Sequence, residues 1–473
     1  MTIFASPGKW ALVGLLLAFV GTEPLAAQDA SAGRTVDGYR GLWFTLGQES
    51  EYGDKYSGGL GTYTAKHHPL AVYAPEVDKT FFVYGGTTQS DERHLLNMIS
   101  YYDHERGVDP RPRVVHDKHG VDDPHDNASL SIDGEGHLWV FVSGRSTRRP
   151  GFVYRSEQPY DIGAFRQVRR DTFAYPQPWW IDGRGFLFLF TKYTEGRELY
   201  WSTSAEGSSW SRSKKLVSGG HYQMSNQSDG RVITAFNVHV PPNNVDARSN
   251  LYFLQTPDGG RTWRTADGTA ITPPLAPLDN PALVRDYRDE GRLVYLKDIQ
   301  FDRAGNPILL YITSNDHRPG PKGDPRTWTV AHWTGDQWTF HEVTSATHNY
   351  DMGSLYVEDD GIWRIIAPTE PGPQYWGTGG EVAVWRSTDH GATWEKRRDV
   401  TTRSIRNHTY VRRPVDAQSD FYAFWADGNP DSLSISKLYF TNRTGDEVWR
   451  LPYQMDTSDT PPVQLESGGT DKN

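Results

Sequence analysis

The chain has 473 residues, no cysteine and a formal net charge of −10. That length accommodates one large all-β domain or two to three smaller ones. The charge argues against nucleic acid as a partner, which needs a basic footprint, and the lack of cysteine excludes disulfides, thiolate metal sites and a cysteine nucleophile.

Residues 1–27 read as a signal peptide, with Lys9 as the positive flank, an apolar run over 10–20 and small residues Ala26 and Ala27 for cleavage. The run is short for a membrane span, and no second apolar run of that length follows. The mature protein is therefore expected to be secreted or periplasmic, with no membrane partner after cleavage. Residues 36–455 are expected to form one propeller domain, and 456–473, which are polar and rich in Pro and Gly, a disordered tail.

From Lys66 onward one arrangement recurs: a polar start, an alternating apolar strand, a turn and a second apolar strand. KHHPLAVYAPEVDKTFFVYGG is followed by HDNASLSIDGEGHLWVFVSG, YPQPWWIDGRGFLFLFTKY and HYQMSNQSDGRVITAFNVH. KDIQFDRAGNPILLYITSN, HNYDMGSLYVEDDGIWRIIAPTE and HTYVRRPVDAQSDFYAFWADG complete the series. The spacing is roughly fifty to seventy-five residues, at the long end of structural repeats. Further strand pairs lie between the copies, so each repeat offers about four antiparallel strands. Four-stranded sheets arranged radially make a β-propeller, and seven copies predict seven blades. The N-terminal Gly41–Thr45 stretch is expected to close the ring against Lys437–Thr441.

Two turns fit S/T-x-D-x-G-x-T-W: Thr256 to Trp263 and Ser387 to Trp394. In this Asp-box the Asp accepts turn N–H groups, the Gly takes a special backbone angle and the Trp packs between sheets. A degenerate copy surrounds Trp210. These turns are structural and assign no activity.

The innermost strand of each blade runs along the axis, so the polar starts should converge at one mouth of the channel. They bring His125, Asn127, Tyr175, His221, Tyr222, His348, Asn349, His408 and Arg413 together. Tyr193, Arg197, His239 and Arg145 are expected to join from neighbouring strand ends. This inventory is rich in His, Tyr and Arg and poor in paired carboxylates, whereas a typical glycoside hydrolase needs two carboxyl groups flanking the bond. Removing a proton next to a carboxylate needs a cation to neutralise it and a His or Tyr to move protons. The residue set suits β-elimination from a uronic acid. The arginines of GRSTRRPG are candidates to meet an acidic or sulfated glycan.

YRGLWFTLGQ, HDKHGVDDPHDNASLSIDGEGHLWVFVSGR, FTKYTEGRELYW and HNYDMGSLY resemble the BNR-repeat propeller group that includes the ulvan lyases of polysaccharide lyase families 24 and 25. The likeness runs from about Tyr39 to about Phe440, and DDPHDNAS is its most specific part. It implies seven blades, cleavage at C4 of a uronic acid in a rhamnose–glucuronate polysaccharide, and a catalytic His at His125. It also implies a Tyr acid/base and a charge-neutralising Arg, placed on Tyr193 and Arg197, with Tyr175, Tyr222 and Arg145 as competitors. One departure is the lack of a second His after the first, where Arg145, Arg148 and Arg149 stand instead. The alternatives are an exo-acting rhamnosidase-like hydrolase, in which His67 and His68 would matter, and a non-catalytic glycan-binding propeller. No metal ligand spacing is diagnostic. A structural divalent cation, Ca2+ or Zn2+, is the one cofactor contemplated, with Asp126, Asp298 and Asp351 as its oxygen ligands.

Overall fold

The computed structural model describes residues 1–2, 33–59, 67–87, 93–239 and 246–466. The expected signal peptide therefore lies, apart from its first two residues, outside the described residues. Those described form an all-β propeller whose helical content is two three-residue 3₁₀ turns, Pro124–Asp126 and Pro321–Gly323.

Six sheets follow one rule: their strands run outward in chain order, beginning at Ala128–Ile132, Ala174–Ile181, Gly220–Ser228, Leu293–Phe301, Ser354–Val357 and Asn407–Arg412. Besides two small two-stranded sheets, the remaining sheet is composite. Its path runs from Ser434–Ser436 through Gly41–Thr45 to Lys79–Gly86, Leu96–Asp103 and Arg113–Asp117, and Ala71–Ala74 pairs beside Lys79–Gly86. Six simple blades are thus counted, and the expected seven are not confirmed as equivalent units.

Burial explains which strand sits where. Second strands such as Leu138–Val142 are apolar at every position and wholly buried, because neighbouring sheets cover both faces. The outermost strand Glu395–Asp399, EKRRD, is wholly exposed. Its charges suit an open edge that must not pair with other chains.

The ring is held at two seams. Val415 bridges Val72 in parallel, donating to Ala71 O at 2.9 Å and accepting from Tyr73 N at 3.0 Å. Gly41–Thr45 pairs antiparallel with Ser434–Ser436, matching Gly41 to Ser436 and Trp43 to Ser434. This pairing falls one strand earlier than Lys437–Thr441. Trp43 is the reason: its ring lies over Gly428, where an added Cβ would come within 2.1 Å of it.

The tail expected to be disordered from 456 is ordered through its first part. Asp459–Thr460 pairs with Asp109–Pro110, and Val463–Gln464 pairs with Val448–Arg450. An outer strand with unpaired backbone groups recruits another strand, which polar composition by itself does not reveal.

The Asp-boxes are turns of the expected kind. Asp389 accepts from Thr393 N at 2.9 Å and Thr393 Oγ1 at 2.6 Å, and Asp258 accepts from Thr262 N at 2.8 Å and Thr262 Oγ1 at 2.7 Å. The Gly has a second duty. A Cβ on Gly391 would meet Trp363 at 2.6 Å, one on Gly260 would meet Trp201 at 2.9 Å, and one on Gly207 of the degenerate copy would meet Trp139 at 2.2 Å. Each box thus seats a tryptophan from another strand, Trp139 and Trp363 from the second strands of their sheets and Trp201 from a third. Gly391 also has φ +82°, so Gly391→Ala combines backbone strain with overpacking. It should cost about 1–3 kcal/mol, read as a lower guanidinium midpoint at unchanged slope.

Candidate active site

The segment VDDPHDNAS does not enter its strand directly. Pro124, with its fixed φ, starts a 3₁₀ turn over Pro124–Asp126 that Asp123 caps by accepting from His125 N at 3.0 Å. The same carboxylate oxygen lies 2.6 Å from His125 Nδ1. Asn127 Nδ2 donates to Pro124 O at 3.0 Å and to Gly59 O at 3.3 Å. The polar start is a clamp that fixes one imidazole ring.

Charge around the clamp is balanced. Arg149 binds Asp126 through Nε at 2.9 Å and Asp123 through Nη2 at 2.7 Å, and Lys118 reaches Asp126 at 2.8 Å. Arg145 Nε lies 3.7 Å from Asp123. Of the GRSTRRPG arginines, Arg145 and Arg149 therefore serve this carboxylate pair, and Arg148 is exposed. Burial opposes ionisation of Asp123, but His125 and Arg145 outweigh it and hold the carboxyl far below its usual range. His125 is pushed down to about 4, by burial first and then by Arg145 and Arg197 against the pull of Asp123. It is neutral at neutral pH. Since Nδ1 faces an anionic carboxylate, that nitrogen carries the proton and Nε2 is the basic atom.

Tyr175 stands beside this ring, at the bulge that opens Ala174–Ile181 and with φ 54°. Its ring centroid is 5.8 Å from His125, 5.7 Å from His67 and 5.2 Å from Tyr222, and its hydroxyl is 3.4 Å from that of Tyr222. Tyr193 packs against Tyr175 and Tyr222. It faces Arg197 across the hairpin, with the guanidinium 5.7 Å from its ring. The Tyr193 hydroxyl is buried and makes no hydrogen bond among the described residues.

Arg248, which sequence reasoning missed, completes the cluster. Its guanidinium is 3.9 Å from the Tyr222 ring centroid, 4.9 Å from Tyr350 and 5.4 Å from Tyr295. It is 2% exposed, and its Nε and Nη2 have no hydrogen-bond partner among the described residues. The two facing tyrosines are driven apart in acidity. Burial raises Tyr175 well above a usual phenol. Burial pushes Tyr222 the same way, yet Arg248 and Arg197 outweigh it and lower it. One legible signal existed for Arg248: it is the register partner of His239, whose place at a strand end was recognised.

The other expected residues fall elsewhere or serve as scaffold. His348 Nδ1 accepts from Tyr350 N at 3.1 Å, and Asn349 accepts from Arg326 Nε at 3.0 Å while donating to Asp316 O at 2.8 Å. His408 Nδ1 accepts from Trp425 Nε1 at 3.0 Å. His239 is half-buried at the end of Arg231–His239. His221 lies in Gly220–Ser228, but its side chain is not among those described. Arg413 is not at this mouth. It lines a cavity with Gln300, Val357 and Glu358, at the far ends of the inner strands, because a strand entering at His408 has crossed the blade by that point.

The aspartates do not converge on a cation. Asp126 is held by Arg149 and Lys118, Asp298 accepts from Leu355 N at 2.8 Å, and Asp351 accepts from Gly379 N at 2.8 Å. Among the described residues no group of three or more His, Asp or Glu is placed to hold a metal ion. Asp298 and Glu370 do not face each other either, since Glu370 pairs with Lys396 at 3.2 Å.

His67 Nε2 donates to His125 O at 3.0 Å at the same clamp, and burial pushes the His67 ring down to about 3. In the unfolded chain both rings bind protons near pH 6.5, while in the fold they resist them down to about 4 and about 3. The unfolded state then holds more protons, so stability should fall as pH drops from about 6.5 to about 4. Unfolding midpoints at pH 7 and pH 5 check this, and His125→Asn should flatten the dependence.

A family profile described as a BNR repeat-containing family member matches residues 96–346. No curated protein sequence matches the chain. Two solved structures of an ulvan lyase from polysaccharide lyase family 25, one of them bound to -[GlcA(1-4)Rha3S]-, superpose with TM-score 0.66 at 15% identity, covering 86% of this chain and 96% of theirs. The polysaccharide lyase Uly1 superposes with TM-score 0.58 at 13% identity, covering 85% of this chain and 97% of its own. At such identities the superpositions speak to the propeller fold. The profile covers more than half of the chain, and the protein belongs to the BNR repeat-containing family.

Proposed function

We propose that the protein is a secreted or periplasmic polysaccharide lyase that cleaves the C4 linkage of a uronic acid by β-elimination. One observation carries the reading: Tyr175 and Tyr222 meet at 3.4 Å between the buried guanidinium of Arg248 and the half-buried one of Arg197. Two titratable groups whose environments push them apart suit one acid and one base.

In this reading the uronate carboxylate sits against Arg248 and Arg197, which makes the C5 proton more acidic. Tyr222 takes that proton, with neutral His125 as the neighbouring base. The C5–H electrons form the C4–C5 double bond, the C4–O4 bond breaks, and a phenol, Tyr175 or Tyr193, protonates the departing oxygen. Asp123 positions His125 and does not react. The substrate is an acidic polysaccharide of the rhamnose–glucuronate type. Support for that class comes from Arg248, whose Nε and Nη2 have no hydrogen-bond partner among the described residues, and from the ligand named for the family 25 ulvan lyase. A seven-bladed ring goes with this reading, the composite sheet serving as the closing blade. A hydrolase has less support, since Asp298 and Glu370 lie in separate ion pairs and hydrogen bonds.

Incubation with ulvan, and separately with a rhamnose–glucuronate plant gum, tests the reaction. A rise in the ultraviolet band of an unsaturated uronate, together with new reducing ends, is expected. Tyr222→Phe and His125→Ala should each lower the rate by about 10²–10⁴-fold, and Arg248→Met by about 10²–10³-fold. Reducing ends without the ultraviolet band would mean hydrolysis, and neither signal would leave a binding propeller.

A further inference from the structure

The tyrosine mouth extends beyond the reacting cluster. In the six simple sheets the loops that follow the second strand all lie at this end. The 371–380 loop after Trp363–Glu370 therefore shares it with Arg248, which opens the third strand of its own sheet. That loop carries Tyr375, which is 50% exposed and is the one exposed aromatic side chain among the described residues. Its ring stands edge-on to Trp376 with centroids 4.6 Å apart, and Trp376 meets Tyr52 at 5.9 Å. Tyr52 joins the paired segments Glu49–Ser50 and Gly53–Asp54, and its ring lies over Gly320, where an added Cβ would come within 2.2 Å. Contacts lead from here to the reacting groups. Arg326 lies 5.9 Å from the Trp376 ring and donates to Asn349, the neighbour of Tyr350, whose ring is 4.9 Å from the Arg248 guanidinium.

The loop is pinned. Asn407, wholly buried, accepts from Gln374 N at 3.1 Å and donates to Gln374 O at 3.0 Å, and Gly377 N donates to the same carbonyl at 3.0 Å. Pro371 and Pro373 fix two further backbone angles. Single apolar side chains at a surface are ordinary. An exposed ring held still before any ligand arrives is different, because the ordering cost of binding is already met.

We propose that Tyr375, backed by Trp376 and Tyr52, is a stacking subsite for an uncharged sugar ring of the substrate chain, away from the cleaved bond. The class of chain, a rhamnose–glucuronate polysaccharide, rests on the proposed function. A pyranose ring offers a face of C–H groups that packs on an aromatic face, and the 6-methyl of rhamnose enlarges it. A uronate is the poorer occupant. The hairpin carries Glu49 and Glu51, both exposed. Arg326, beside Trp376, is 1% exposed and its donors are taken by Asn349, Asp324 and the carbonyls of Gly320 and Arg318. In an alternating chain one uronate then lies on Arg248 while an uncharged unit rests on Tyr375. Tyr375 holds the polymer and takes no part in the chemistry.

Native gels cast with ulvan, or with a rhamnose–glucuronate gum, read binding without catalysis. Polymer should retard the wild-type protein. Tyr375→Ala should weaken that binding by about fivefold, and Tyr375→Phe should retain it, since stacking needs the ring and not the hydroxyl. In kinetics Tyr375→Ala should raise KM for the same polymer by a similar factor and leave kcat unchanged, the mark of lost uniform binding. Truncating an exposed side chain should not shift the melting temperature. Equal retardation of the wild type and Tyr375→Ala, a lower kcat at unchanged KM, or a Tyr375→Phe protein as weak as Tyr375→Ala would overturn the subsite. So would a wild-type protein retarded by neither polymer. Retardation that depends on Tyr375 without any ultraviolet signal would instead sink the lyase reading and leave the subsite standing.

Discussion

The backbone seam between Val415 and the Ala71–Tyr73 segment closes the ring, and the site depends on that closure. No single sheet contains the tyrosine cluster. Tyr175 and Tyr193 come from one sheet, Tyr222 and Arg248 from the next, and His125 from the turn that leads into the one before. Distances of 5–6 Å between their rings hold only if adjacent sheets keep a fixed angle, and a ring open at one seam would let that angle relax. Trp201 seated on Gly260 and Trp139 seated on Gly207 act to the same end, locking sheet against sheet away from the axis.

Closure also determines the electrostatics. It buries His125, Tyr175, Tyr222 and Arg248 together, so burial is the largest influence on each. For the histidine that influence and the neighbouring arginines act in the same direction, and a neutral base results. For Tyr222 they oppose, and the arginines win. Asp123 stays ionised beside them because it is paired with His125 and flanked by Arg145 and Arg149. The mouth thus combines cations, phenols and a neutral imidazole while its carboxylates are consumed in holding that imidazole.

Much of this was legible before any coordinates. The repeated strand pairs and the Asp-boxes pointed to a propeller, and DDPHDNAS, FTKYTEGREL and the Tyr175 and Tyr222 strand starts pointed to residues that do meet. Other residues were misplaced for one reason. Arg413 follows His408 by a few positions, yet a strand rises about 3.3 Å per residue, enough to carry it to the opposite mouth. Arg145 and Arg149 read as a basic loop for a glycan because their carboxylate partners lie some twenty residues away in sequence. Arg248 went unnoticed because its importance lies in what it touches, three aromatic rings from three different strands.

The sequence by itself determined strand periodicity, turn chemistry and the kinds of side chain delivered to the strand starts, since these depend on neighbours in the chain. Only the tertiary structure decided which charges find partners, how the first and last strands interlock, and which of two tyrosines is the more acidic. Those outcomes follow from burial and from distances between segments far apart in sequence, and both exist only once the ring is closed.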